Sequence, residues 1–159
     1  MSETLIRKQK NASGGALAGR GTGRNASGSS LGLRAWRTQE LIRTLEKGLP
    51  FNAIETLSRT SGIDASDLAS VMALPERTFA RRKSAGRFAP EESERLLRIA
   101  RIFELAVELF AGDVRGAVKW LETPRKALGN HTPLKYSATE IGAREVENLI
   151  GQLVHGVFP

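Results

Sequence analysis

Residues 64–111 read DASDLASVMALPERTFARRKSAGRFAPEESERLLRIARIFELAVELFA. Asp64 is placed to cap a helix whose inner face carries Leu68, Val71 and Met72. Ala73-Leu74-Pro75 interrupts the pattern, and a second helix follows from Glu76. Helices at 65–72 and 76–84 across so tight a turn have the layout of a helix-turn-helix, whose second helix enters the major groove of DNA. Pro90 and the acids Glu91, Glu92 and Glu94 then open a long helix reaching about Ala111, where the acids complement the macrodipole. Its polar stripe is confined to Glu94, Arg98, Arg101, Glu104 and Glu108. An apolar surface that wide needs cover on two sides. One side is the helix's own domain; the other is the C-terminal part of the chain or a second copy, and a homodimer through residues 90–111 is expected.

The second helix supplies groove chemistry. Phe79 anchors it inward, leaving Glu76, Arg77, Thr78 and Arg81 on the remaining face near its N-terminal end. Arg77 and Arg81 are one turn apart and can face the groove together. Arginine pairs bidentately with guanine, and threonine contacts phosphate or a thymine methyl. Arg82, Lys83 and Arg87 are better placed for phosphate, which positions the protein without specifying sequence. Pro75 offers no side-chain oxygen to the free N–H groups of this helix. The same spacing also suits a plain helical hairpin with a solvated basic face.

Outward from this stretch the pattern stays helical. Towards the N-terminus, Thr38 can cap a helix carrying Leu41, Ile42 and Leu45 that stops at Gly48. Pro50 suits the first turn of the next, with Phe51, Ile54 and Leu57 on one face and Gly62 at its end. Towards the C-terminus, Asp113 caps a helix bearing Val114, Ala117, Val118 and Leu121, and Pro124 stops it. A loop from Arg125 to Pro133 and a turn at Tyr136–Thr139 lead to a last helix expected to begin near Ala143. Its inner face is Val146, Leu149, Ile150, Leu153 and Val154, and Gly156 ends it. Trp120 reads as core packing, and Leu128 and Leu134 as the pins of the loop. The fold expected is all-α, in three parts: a basic Gly/Ser-rich disordered arm at 1–37, a helix-turn-helix domain at 38–111 and a smaller helical domain at 112–159.

The net charge of +7 is unevenly placed. Seven bases (Arg7, Lys8, Lys10, Arg20, Arg24, Arg34, Arg37) against Glu3 alone put +6 in the first 37 residues. That arm can add salt-dependent attraction to phosphate. The absence of cysteine excludes disulfides and thiolate metal sites and fits a cytoplasmic location. No run of about 18 apolar residues is present, so no membrane span is expected. The basic N-terminus lacks the apolar stretch of a secretory signal.

Catalytic groups are sparse. His131 and His155 stand apart, with no His-x-x-x-His spacing and no clustered acids, so neither a metal nor a cofactor is expected. GGALAGRGTG at 14–23 lacks the Gly-Lys-Ser/Thr ending of a phosphate loop and has no preceding strand. Ser93 has no neighbouring base. The chain is read as a non-enzyme.

Three stretches carry a resemblance: RTFARRKSAGRF running into EESERLLRIARIFELAVELF, then AVKWLETPRKALGNHTPL, then TEIGAREVENLIGQLVHGVFP with Gly142, Val146, Leu149 and Gly156 at the pattern positions. Together they resemble antitoxins of the Xre/MbcA/ParS type, which pair with RES-domain toxins. The resemblance implies an Xre-like helix-turn-helix segment followed by a C-terminal domain that binds the toxin and blocks its NAD-binding pocket. It implies a toxin that degrades NAD or transfers ADP-ribose from it, and an antitoxin that often represses its own operon. On that footing the toxin contacts are expected at Arg125, Lys126, Asn130, His131 and Thr132, the exposed members of a loop held by Pro124, Gly129 and Pro133, and at Gly156, Val157, Phe158 and Pro159. A stand-alone helix-turn-helix transcription regulator is the alternative.

Overall fold

The computed structural model describes residues 28–33 and 37–156. A 3-10 turn at Ser29–Leu31 precedes eight α-helices: α1 (Thr38–Lys47), α2 (Asn52–Ser61), α3 (Ala65–Val71), α4 (Glu76–Ala85), α5 (Pro90–Leu109), α6 (Val114–Leu121), α7 (Pro133–Tyr136) and α8 (Glu140–His155). Among the described residues there is no strand, and the all-α expectation holds.

The helix boundaries follow local chemistry. Gly62 and Gly86 end α2 and α4 in the left-handed conformation expected after a helix. Asp113 caps α6 by accepting the Gly116 N–H at 3.1 Å. Arg37, not Thr38, occupies the cap position of α1, and Asp64 stands at the cap of α3 without a side-chain hydrogen bond. The last helix begins at Glu140, a turn earlier than expected, because Thr139 Oγ1 accepts the Gly142 N–H at 3.0 Å. The turn expected at Tyr136–Thr139 is preceded by α7, whose cap, Thr132, accepts the Lys135 N–H at 3.3 Å.

α5 is the spine. It packs against α6 and α8 on one side and against α1, α2 and the 3-10 turn on others. Leu96, Ile99, Ile102 and Ala106 are buried on it, joined in one hydrophobic cluster to Ile54, Leu57, Leu68 and Met72 of α2–α3 and to Leu121, Val146 and Ile150 of α6 and α8. Each large aliphatic buried this way stabilises the fold by about 1.5–3 kcal/mol. Much of the wide apolar surface of α5 is thus covered by the chain itself, while Leu97, Leu105, Val107, Leu109 and Phe110 stay half-buried.

The expected disordered arm also needs correction. Residues 28–33 are docked on α2 and α5, with Leu31 buried. The Glu104 carboxylate accepts from Gly28 N at 3.2 Å, Ser30 N at 2.8 Å and Ser30 Oγ at 2.7 Å. A carboxylate surrounded by donors in this way offsets the entropy of ordering the segment. Residues 1–27 and 34–36 lie outside the described residues, so the rest of the arm expectation does too.

Two backbone positions hold the helix-turn-helix in place. Gly48 has φ +82° and ψ 140°, and a Cβ there would fall on the Phe88 carbonyl oxygen. That close approach lets Leu49 O accept from Phe88 N at 2.9 Å and Gly86 O from Phe51 N at 2.9 Å, tying the α1–α2 junction to the α4–α5 junction. In the α3–α4 turn, Ala73 is left-handed at φ +54°. A side chain there costs about 1–2 kcal/mol, from which glycine is exempt. Ala73→Gly is therefore expected to stabilise the fold by about 0.5–1 kcal/mol, net of glycine's extra unfolded-state entropy. Denaturant titration would show this, and an unchanged or lower midpoint would contradict it.

Candidate nucleic-acid and protein interfaces

α4 is held by its inner face. Phe79 meets Phe51 at 5.2 Å between ring centroids, and Phe51 stacks on Phe88 at 5.3 Å. On its far flank Arg82 makes a two-pronged ion pair with Glu92 of α5, at 2.7 Å (Nε to Oε2) and 3.1 Å (Nη2 to Oε1). Glu92 Oε2 also accepts the Ala89 N–H at 2.8 Å, capping α5. Burial pushes the Glu92 carboxyl up, but the Arg82 and Ala89 hydrogen bonds and the charges of Arg82 and Arg81 outweigh it, so its pKa lies below the ordinary carboxylate range. Arg95 Nη1 donates to Met72 O at 3.2 Å, fixing the end of α3 from the same spine.

The residues expected to face DNA divide accordingly. Glu76, Arg77, Arg81 and Lys83 are exposed, and Thr78 is half-buried. Arg77, Arg81 and Lys83 have no ion pair among the described residues. Arg82 is held through Nε and Nη2 by Glu92. Arg87 is exposed, with its Nη1 donating to Gly48 O at 2.5 Å and to Lys47 O at 3.3 Å. Sequence shows both positive charges without showing these partners. Glu92 was legible only as a macrodipole acid, although its place three residues after Ala89 is the spacing of a returning capping-box carboxylate.

The loop after α6 is closed on itself. Arg125 and His131 pair as an isolated bridge, with Arg125 N donating to His131 O at 3.0 Å and Asn130 N donating to Arg125 O at 2.9 Å. Lys126–Leu128 forms a 3-10 turn inside it, and Gly129 and Asn130 are both left-handed. Leu128, Leu134 and Trp120 are buried and anchor the loop. Lys126, Asn130 and His131 stand exposed at its rim, and Thr132 is half-buried as the α7 cap. Arg125 departs from its expected exposure. It is half-buried, with its guanidinium carbon 5.2 Å from the Trp120 ring centroid. Gly156 ends α8 in an exposed left-handed conformation, and Val157, Phe158 and Pro159 lie outside the described residues.

A helix with exposed arginines and a closed polar loop thus project from one α5-centred core. Residues 40–101 match the family model described as an antitoxin Xre-like helix-turn-helix domain. Residues 105–156 match the antitoxin Xre/MbcA/ParS C-terminal toxin-binding domain. An antitoxin Xre of Yersinia enterocolitica is 40% identical over 129 residues, covering 80% of this chain and 87% of its own length. The chain belongs to the Xre antitoxin family. An antitoxin Xre of Photorhabdus laumondii is 36% identical over 131 residues, covering 77% of this chain and 88% of its own. A third antitoxin Xre, from Pseudomonas putida, is 33% identical over 66 residues, 42% of this chain and 41% of its own. In this Xre-family chain the two matched segments meet within α5, so the helix-turn-helix and the toxin-binding domain share a single helix. Among the described residues no helix is long and apolar enough to cross a membrane.

Proposed function

We propose that this chain neutralises a RES-domain toxin in a type II toxin–antitoxin pair by covering the toxin's NAD-binding pocket, and that it reads its own operator through α4, both in the cytoplasm. The match of residues 105–156 to a toxin-binding domain carries the reading. A nucleotide pocket is concave and needs an open mouth, so a rigid projection suffices to block it without chemistry. The closed loop from Arg125 to Thr132 and the chain from Gly156 to Pro159 are the proposed projections. Co-expression with the toxin encoded in the adjacent reading frame tests this. The wild-type chain should co-purify with that toxin, keep its NAD turnover low and restore growth. Removing residues 156–159 should weaken neutralisation, and full rescue by the shortened chain would remove the tail from the proposed contact. Absence of any complex with the wild-type chain would overturn the reading as a whole.

Arg77 and Arg81, exposed and without an ion pair among the described residues, support the operator part. Well-placed arginine–guanine pairs contribute about 1–3 kcal/mol each. Replacing both with alanine should lower specific operator affinity by roughly 30-fold or more, while Lys83→Ala should mainly flatten the salt dependence. Gel-shift titration at two salt concentrations would separate these. Specific binding that survives the double substitution would place sequence reading elsewhere. Specific operator binding by a chain that forms no complex with the toxin would favour the stand-alone regulator.

A further inference from the structure

The one buried side-chain nitrogen or oxygen without a hydrogen-bond partner among the described residues is Nε of Arg125. Burying such a donor unpaired is unfavourable, and native folds avoid it. The same guanidinium stacks on Trp120 and makes only a long contact, Nη2 to Trp120 O at 3.4 Å. It has no carboxylate partner among the described residues. The loop itself is closed by backbone hydrogen bonds. Contrast Arg82, where a guanidinium of similar exposure is met by two carboxylate oxygens.

The surroundings carry one sign. Residues 113–135 hold five cations, Arg115, Lys119, Arg125, Lys126 and Lys135, against Asp113 and Glu122. Asp113 is engaged as the α6 cap. The other four cations are exposed, with no ion pair among the described residues. In α8 the balance reverses, with Glu140, Glu145 and Glu147 against Arg144.

We propose that Arg125 is the anchor of the toxin interface, receiving a carboxylate of the partner on its guanidinium, with the surrounding cations steering an acidic face of that partner onto the loop. This rests on the reading of residues 105–156 as toxin-binding and adds the chemistry of the partner's surface. A guanidinium preorganised on an indole ring loses little freedom on binding, and paired Arg and Trp are typical of the few interface residues that dominate affinity. Rim cations act instead through association rate and salt dependence.

The test titrates the full-length chain against the toxin of the adjacent reading frame. Arg125→Ala is expected to weaken binding by about 30-fold or more, chiefly through faster dissociation. Arg125→Lys should recover only part of this, because lysine lacks the planar fork. Lys126→Ala should change affinity a few-fold and lower the salt dependence. Arg125→Gln, which keeps a flat polar group over Trp120, guards against a folding artefact: at an unchanged melting temperature it should bind as weakly as the alanine variant. Arg125→Glu should be rescued by a lysine placed at the opposing acid of the toxin. If the wild-type chain binds the toxin and Arg125→Ala and Arg125→Gln both bind within about threefold of it, the anchor is overturned while the toxin-binding reading stands. If the wild-type chain binds no toxin, both fall together.

Discussion

Replacing Gly142 with valine should cost about 4 kcal/mol of folding stability, more than any other single change considered. A Cβ at this position would lie on the Tyr136 carbonyl oxygen and 3.0 Å from Thr139 Oγ1. The obstacle is backbone, so no rotamer change relieves it, and α8 would have to move away from α7. That motion breaks the Thr139 cap and draws Ala143, Val146 and Ile150 out of the shared core. Overpacking usually costs about 1–3 kcal/mol, and adding lost burial at about 1.5–3 kcal/mol per large side chain brings the total to the stated figure. A total stability of about 5–15 kcal/mol is typical of a domain, so this is a large share of it. Guanidinium titration measures it, and a loss below about 1 kcal/mol would mean that α7 and α8 pack less closely than described. Gly142→Ala should be milder but still destabilising.

Glu92→Ala should be the second most damaging change, at about 3 kcal/mol. It removes the acceptor of both Arg82 prongs and of the Ala89 N–H, leaving a half-buried cation without its partner. Breaking a buried pair at one end costs about 3–5 kcal/mol, and the partial exposure of Arg82 places this case at the lower end. Glu92→Gln, which keeps an acceptor, should lose less. The pH dependence has a definite sign. Because the folded pKa of Glu92 is depressed, its contribution is fully present above the unfolded value of about 4.3 and fades as pH falls through the lower folded value. Wild-type stability should therefore drop between about pH 5 and pH 3 more steeply than that of Glu92→Gln. Parallel curves would remove Glu92 from this role. Glu140, whose pKa is lowered by its hydrogen bond to Arg144 and by Arg98, keeps its own contribution in both proteins.

The helices were legible where local signals decide them. Gly62, Gly86 and Pro90 punctuate the chain by backbone geometry alone, and the period of Leu96, Ile99, Ile102 and Phe103 marks a buried face without knowing its cover. The start of α8 was misplaced because the Thr139 cap was not recognised, and the missing side chain of Gly142 is what lets α7 approach. The 28–33 segment was missed because its anchor, Glu104, lies more than 70 residues away, beyond the reach of composition. What fixes Arg82, Arg87 and Arg125 was not legible for one reason: a guanidinium is visible in sequence, but the carboxylate, carbonyl or indole that holds it is contributed by folding. The exposed Arg77 and Arg81 were legible because Phe79 fixes the phase of a short helix.

The continuity of α5 bears on how such a protein can be cut and rejoined. The family segments end at residue 101 and resume at 105, inside a helix running from Pro90 to Leu109. A recombination event at that border would join half-helices from two parents and set the phase of their buried faces at random. A workable crossover lies instead past the spine, where Ala111 and Gly112 turn the chain with positive φ before Asp113 starts α6. Any exchange there leaves the recipient's α5 to meet a foreign α6 and α8. New toxin specificities in this architecture should therefore arise by substitution on the exposed loop more readily than by shuffling whole segments.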